Sequence, residues 1–225
     1  MISVEKTLSL PDKFFFMQNT TLKGIRNIVF DLGGVIITLD RGEAVKRFYN
    51  AGLEDAEGLL SAYHQKGIFL DLEEGKLTQN EFYEAVCKQA GKFVSKETID
   101  AGWMGFMKEV PEYKMVMLEE LRRKGYRLYL LSNTNPVIMD WASTSAFSPQ
   151  GKSIYEYFDK LYLSYQIGYT KPGPEIFQFM FDDSGIIPSE SLFIDDGKAN
   201  VEMGEKLGMK TYLAVNGEDF RYLFE

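Results

Sequence analysis

One cysteine, one histidine and no long apolar run are the scarcest features of this 225-residue chain. Cys87 alone can form no intrachain disulfide and no thiolate metal site, which suits a reducing compartment; the cytoplasm is the expected location, and Cys87 itself is expected as a small buried apolar residue. His64 lies on a candidate helix and reads as a packing or surface residue rather than a catalytic one. No stretch approaches the roughly 20 apolar residues that span a bilayer, so no membrane partner is expected. Phe14-Phe15-Phe16-Met17 is shorter than a signal-peptide core and runs into polar Gln18-Asn19-Thr20-Thr21 instead of a small-residue cleavage site, which argues against export. Basic residues are outnumbered 25 to 33 and the net charge is −8, with no run of Lys and Arg that could follow a phosphate backbone. Nucleic acid is therefore not expected as a partner.

Three apolar runs end in small oxygen-bearing residues. Ile28-Val29-Phe30 delivers Asp31 and then Leu32-Gly33-Gly34-Val35, where the backbone can turn tightly. Leu128 to Leu131 leads to Ser132-Asn133, and Leu192-Phe193-Ile194 leads to Asp195-Asp196-Gly197. In an open parallel sheet, ligands bind outside the carboxyl ends of the strands, so three such tips can meet at one pocket. Taken singly, each has a plainer explanation. Asp31 could close its own turn, Ser132-Asn133 could bond their own backbone, and Asp195-Asp196 could favour the start of the next helix by charge.

The pattern between the tips sets the architecture. From residue 41 to Pro111 it is helical, with four candidate helices: Val45, Phe48 and Tyr49 line one face before Gly52, Thr78-Gln79-Asn80-Glu81 has capping-box spacing, and Ser95 can cap a helix carrying Ile99, Trp103 and Phe106. From Pro111 onward helix and strand alternate, with strands expected at 126–132, 160–164, 191–195 and 209–214, which implies a parallel sheet. The expected fold is α/β, a Rossmann-like core formed by residues 25–40 and 111–225, with an inserted helical cap at 41–110 and an N-terminal extension at 1–24. Trp103 and Phe106 read as cap core. Asp71-Leu-Glu-Glu-Gly-Lys has the look of a calcium loop, but Gly75 and Phe82 stand where that loop needs other residues, and calcium is set aside.

Asp31-Leu-Gly-Gly-Val, Leu131-Ser132-Asn133, Lys171-Pro172 before Pro174-Glu175-Ile176-Phe177, and Ile194-Asp195-Asp196 occur in that order over about 165 residues. Together with the helical insert they resemble the four motifs of the haloacid dehalogenase (HAD) superfamily, in its subfamily I with a helical cap. The Asp-Leu-Gly-Gly-Val variant and Tyr-Leu-Ser-Tyr-Gln-x-Gly-x-x-Lys-Pro are most similar to glucose-1-phosphatase-like enzymes. The resemblance implies a phosphoric monoester phosphatase using Mg²⁺, with Asp31 attacking phosphorus to form an aspartyl-phosphate. It further implies that the side chains of Asp31 and Asp196 and the carbonyl of Gly33 hold the metal, with Asp195 as outer support or an occasional ligand. Ser132 and the Asn133 backbone would bind the phosphoryl group. Lys171 would neutralise charge and orient Asp31. The implied partner is a small phosphorylated metabolite, of which a sugar phosphate is one example, acted on by a monomer or homodimer. Asn200, one turn after Asp196, is a candidate supporting residue.

One position departs from the family pattern. Most phosphatases of the superfamily carry a second aspartate where Gly33 stands, to protonate the leaving group and activate water. Losing a positioned acid/base typically costs about 10² to 10⁴ in rate. Water, a cap residue or the substrate must take over; the alternative is a catalytically weak HAD-like protein that binds a phosphorylated ligand or a protein partner. Residues 68–77 form a candidate rim over Asp31, with Glu73-Glu74-Gly75 similar to the family's cap loop.

Overall fold

The computed structural model describes residues 22–61 and 65–225. Phe14 to Met17 and His64 therefore lie outside the described residues. Strand β1, Asn27–Phe30, is buried at every position. It pairs in parallel with β4, Arg127–Ser132, on one side and with β6, Ser191–Asp195, on the other. Outer strands β5, Lys160–Leu163, and β7, Lys210–Leu213, complete the order β5-β4-β1-β6-β7. Near-continuous apolar runs suit strands covered on both faces. Along β1, Ile28 and Phe30 enter one core cluster, while Val29 enters a second with Ile176, Phe177 and Met180 from the helix Pro174–Ser184. Leu128 and Leu130 of β4 likewise face away from Tyr129 and Leu131. The sheet is thus held between two apolar layers, and its polar residues are left at the strand ends.

Two turns beyond Asp31, the chain leaves the sheet through a short ribbon. Strand β2, Thr38–Leu39, pairs antiparallel with β3, Met107–Glu109. The helical pattern expected up to Pro111 is corrected here: residues 107–109 are extended, because they pair with β2 and return the chain to the core. The side chain of Asn216 fastens this ribbon, accepting from the Leu39 N–H at 2.9 Å and donating to the Leu39 carbonyl at 3.0 Å.

Between the two strands run five helical segments among the described residues: Arg41–Ala51, Ala56–Leu59, Ile68–Glu73, Gln79–Ala90 and Lys96–Met104. The sequence pattern suggests four; the structure has five among the described residues, of which Ala56–Leu59 is a four-residue turn too short to show a period. Local chemistry sets the ends. The Glu43 N–H donates to the Asp40 carboxylate, Thr78 and Glu81 form a reciprocal capping box, and the Thr98 N–H donates to Ser95 Oγ. The segments pack around aromatic rings. Phe48, Phe69, Phe82 and Trp103 meet edge to face or tilted, with centroids 4.9 to 5.9 Å apart, and Phe106 adds to the stack 5.8 Å from Trp103. Cys87 is half-buried, with its sulfur 3.3 Å from the Val94 carbonyl and N–H, so it is less enclosed than expected. No helix among the described residues is long and apolar enough to cross a membrane.

Candidate active site

Asp31 follows β1 directly, and its N–H donates to the Ile194 carbonyl at 2.9 Å, which ties its backbone to the neighbouring strand. Because β4, β1 and β6 are adjacent, Ser132, Asp31 and Asp195 emerge side by side at one edge of the sheet. Lys171 reaches the same point from the loop after β5. It is 1 % exposed, and its Nζ lies 2.8 Å from Asp31 Oδ1, donates to Asp195 Oδ2 at 2.6 Å and donates to the Leu131 carbonyl at 2.8 Å. An ammonium so placed uses all three donors. Burial opposes its charge, yet Asp195 and Asp31 carry its pKa above the ordinary lysine value.

Asn133 positions this lysine. Its Nδ2 donates to the Lys171 carbonyl at 2.9 Å and its Oδ1 accepts from the Lys171 N–H at 2.8 Å. The Asn133 side chain is therefore tied to the loop through one of its two N–H donors and its oxygen, and its backbone is the group expected to meet a phosphoryl group. Ser132 Oγ, by contrast, has only a long 3.5 Å contact to the Asn133 carbonyl. Asp195 is fully enclosed: beyond Lys171, its Oδ1 accepts from the Gly197 N–H at 2.7 Å and from Asn200 Nδ2 at 2.9 Å. Asn200 supports Asp195, as the sequence suggests it supports the acidic pair. The Asp195-Asp196 pair places no side-chain cap on the helix Lys198–Lys206.

Carboxylate oxygens of Asp31, Asp195 and Asp196 lie within 4.8 Å of one another. One lysine faces three carboxylates, and the imbalance shows in their acidity. Burial pushes Asp31 up to about 6, with Asp195 adding to the effect and Lys171 opposing it. Burial and the charges of Asp31 and Asp195 push Asp196 up to about 7. A cluster short of positive charge and rich in hard oxygen fits a divalent cation such as Mg²⁺. Gly34 makes room for it. At φ +72°, a Cβ there would fall 2.0 Å from Asp196 Oδ2, so only glycine lets the turn pass so close to that carboxylate.

A cavity of about 100 Å³ opens over these groups, between Asp31, Ser132 and Lys171 below and Glu73, Trp103 and Phe106 above. It holds several waters or a small group. Of the rim that the sequence marks at residues 68–77, Glu73 alone lines this cavity, and Gln65, Trp103 and Phe106 complete its upper wall. Glu73 is the side chain there that turns inward: it ends the helix Ile68–Glu73, whose buried residues are Phe69, Leu72 and Glu73. The signal was available, since a carboxylate at the fourth position after Phe69 falls on the apolar stripe. Gly75 sets the approach of this loop to the core: at φ +67°, a Cβ would stand 2.2 Å from the Tyr165 carbonyl oxygen.

This geometry has relatives. The family model for haloacid dehalogenase-like hydrolases matches residues 25–208, and the chain belongs to that family. It is 51 % identical over 197 residues to D-ribitol-5-phosphate phosphatase of Bacteroides thetaiotaomicron, covering 88 % of this chain and 95 % of that one. A HAD-family enzyme of the same organism, crystallised with magnesium and inorganic phosphate, superposes with a TM-score of 0.84 at 40 % identity, covering 89 % of this chain and 99 % of the other. A HAD-like hydrolase from Porphyromonas gingivalis gives 0.83 at 45 % identity, covering 87 % and 94 %. The Rossmann-like parallel core and the hydrolase class expected from the motifs are both borne out.

Proposed function

We propose that this chain is a Mg²⁺-dependent phosphatase that hydrolyses a small sugar or polyol phosphate through an aspartyl-phosphate on Asp31. The observation that carries the reading is the meeting of Asp31 with Lys171 at 2.8 Å inside a carboxylate cluster at the strand ends. Lys171 holds one Asp31 oxygen and leaves the other to attack phosphorus. Ser132 Oγ and the backbone beside Asn133 donate to the phosphoryl oxygens, and Lys171 offsets their charge. Asp31, Asp196 and the carbonyl of Gly33 would hold the metal, while Asp195, its oxygens already taken, supports Lys171 and the Gly197 turn. Bound there, Mg²⁺ would lower the repulsion between an anionic nucleophile and an anionic phosphate.

Support for the substrate class comes from the small cavity and from the ribitol-phosphate phosphatase relative. The single cysteine supports a cytoplasmic place of work, and a monomer or homodimer would suffice, because every group named lies in one chain. The test is phosphate release from a panel of phosphomonoesters that includes ribitol 5-phosphate, with Mg²⁺, without metal, and with Asp31→Asn. Metal-dependent release that vanishes in the variant is the expected result. Folded protein that releases nothing above the variant would replace the reading with a binding role, the alternative that Gly33 keeps in view.

A further inference from the structure

An alkoxide leaving a phosphate needs a proton, and the strand tip cannot supply one. Position 33 is glycine, and the space beside it is taken: a Cβ there would meet Leu39 Cδ1 at 3.0 Å. Across the cavity stands Glu73, 6 % exposed, on a helix end fixed by the Phe69 and Leu72 packing and by the Gly75 approach to Tyr165. Its carboxyl has neither a hydrogen bond nor an ion pair among the described residues. The carboxyl faces the cavity, where a largely enclosed group without a protein partner costs stability.

We propose that Glu73 serves from the cap as the general acid and base that position 33 lacks, protonating the leaving oxygen and then taking a proton from water. The inference rests on the phosphatase reading above and deepens it. In the first half-reaction a carboxylate oxygen of Asp31 bonds to phosphorus, the bond from phosphorus to the leaving oxygen breaks, and that oxygen takes the Glu73 proton. In the second, water attacks phosphorus, gives its proton to the Glu73 carboxylate, and the bond from phosphorus to Asp31 breaks. Inorganic phosphate leaves, and both carboxyl groups return to their starting states. The surroundings favour a neutral starting form. Burial first, then the charges of Asp31 and Glu74, against the opposing charge of Lys171, hold Glu73 up to about 8.

A carboxyl in this place could instead anchor a substrate hydroxyl, and leaving-group chemistry separates the two roles. The experiment measures kcat/KM, which reports steps through leaving-group departure, for the Mg²⁺-loaded wild type and Glu73→Gln. The substrates are para-substituted phenyl phosphates, which carry no hydroxyl to anchor, together with an alkyl phosphate. Glu73→Gln should lose about 10²- to 10⁴-fold on the alkyl phosphate and only about threefold or less on p-nitrophenyl phosphate, with the loss growing steadily with leaving-group basicity. A loss equal across the series, or no loss on the alkyl phosphate, overturns the proposal. Should Glu73→Gln not fold, Glu73→Asp carries the same comparison: the withdrawn carboxyl should cost the alkyl phosphate more, and equal costs overturn it. Wild-type protein without metal-dependent turnover on any substrate would defeat the parent reading instead, a result distinct from either.

Discussion

The two walls of the cavity hold their buried charges differently. On the core side, Lys171 spends its donors on Asp31, Asp195 and Leu131, and Asp195 is enclosed by Gly197 and Asn200, while Asn200 Oδ1 and Ser132 Oγ are left open. On the cap side, Glu73 has no partner among the described residues, and Trp103 Nε1 and Gln65 Oε1 are buried without one. A core wall bonded in advance can meet the same phosphoryl group every time without reorganising. A cap wall with open donors and acceptors is completed by whatever brings hydroxyls and a leaving group. Constant chemistry and selectable substrate are thus divided between sheet and insert.

That contrast makes graded expectations. Lys171→Met should have the largest effect, because it leaves Asp31 and Asp195 buried without their cation: about 3 to 5 kcal/mol of stability by urea unfolding, together with loss of turnover. Full stability in that variant would show that the core wall is not held by this ion pair. Gly34→Ala comes next. The added methyl group collides with Asp196 and strains a left-handed turn, so about 1 to 3 kcal/mol of stability should go, with a much weakened Mg²⁺ response measured by titration. Unchanged metal dependence would remove Asp196 from the metal site.

The pH response should be smaller and is shared by both walls, because burial holds Glu73 on the cap side up to about 8 as well. Asp31 and Asp196 hold their protons more tightly folded than unfolded, with ordinary values of 3.8 raised to about 6 and about 7. Their contribution to stability is therefore present at low pH and is lost as pH rises from about 4 to about 7 in the metal-free protein. Mg²⁺ should raise the thermal midpoint more at about pH 8 than at about pH 5, where protons compete with it. Equal increments at both values would contradict the assignment of the cluster. Smallest of all, Trp103→Phe removes a cap donor that has no partner among the described residues. Stability should stay within about 1 kcal/mol, while KM for the polyol phosphate rises about 2- to 10-fold. A stability loss without a KM change would make Trp103 packing alone.

The sequence made the core wall legible and the cap wall much less so. Asp31, Ser132 and Asp195-Asp196 stand at ends of buried strands, where long apolar runs fix direction and the parallel order brings the ends together, while Lys171 joins them from a loop. Position along such a strand is enough to infer convergence. Glu73 belongs to a six-residue helix whose one sequence signal is its place four residues after Phe69, and its inward turn depends on Phe69, Leu72 and the docking of Gly75. The ribbon of Thr38–Leu39 and Met107–Glu109 escaped because two- and three-residue strands have no alternation to read. Asn133 lines the cavity, and its side chain binds the Lys171 backbone, a partner 38 residues away that no local pattern announces.

The central claim is that phosphate passes through Asp31. Protein mixed with ribitol 5-phosphate and Mg²⁺, quenched in acid within one turnover and digested, should yield a peptide carrying Asp31 with the added mass of a phosphoryl group, absent from Asp31→Asn. Turnover with no phosphorylated peptide at any quench time, or with the phosphoryl group on another residue, would contradict it.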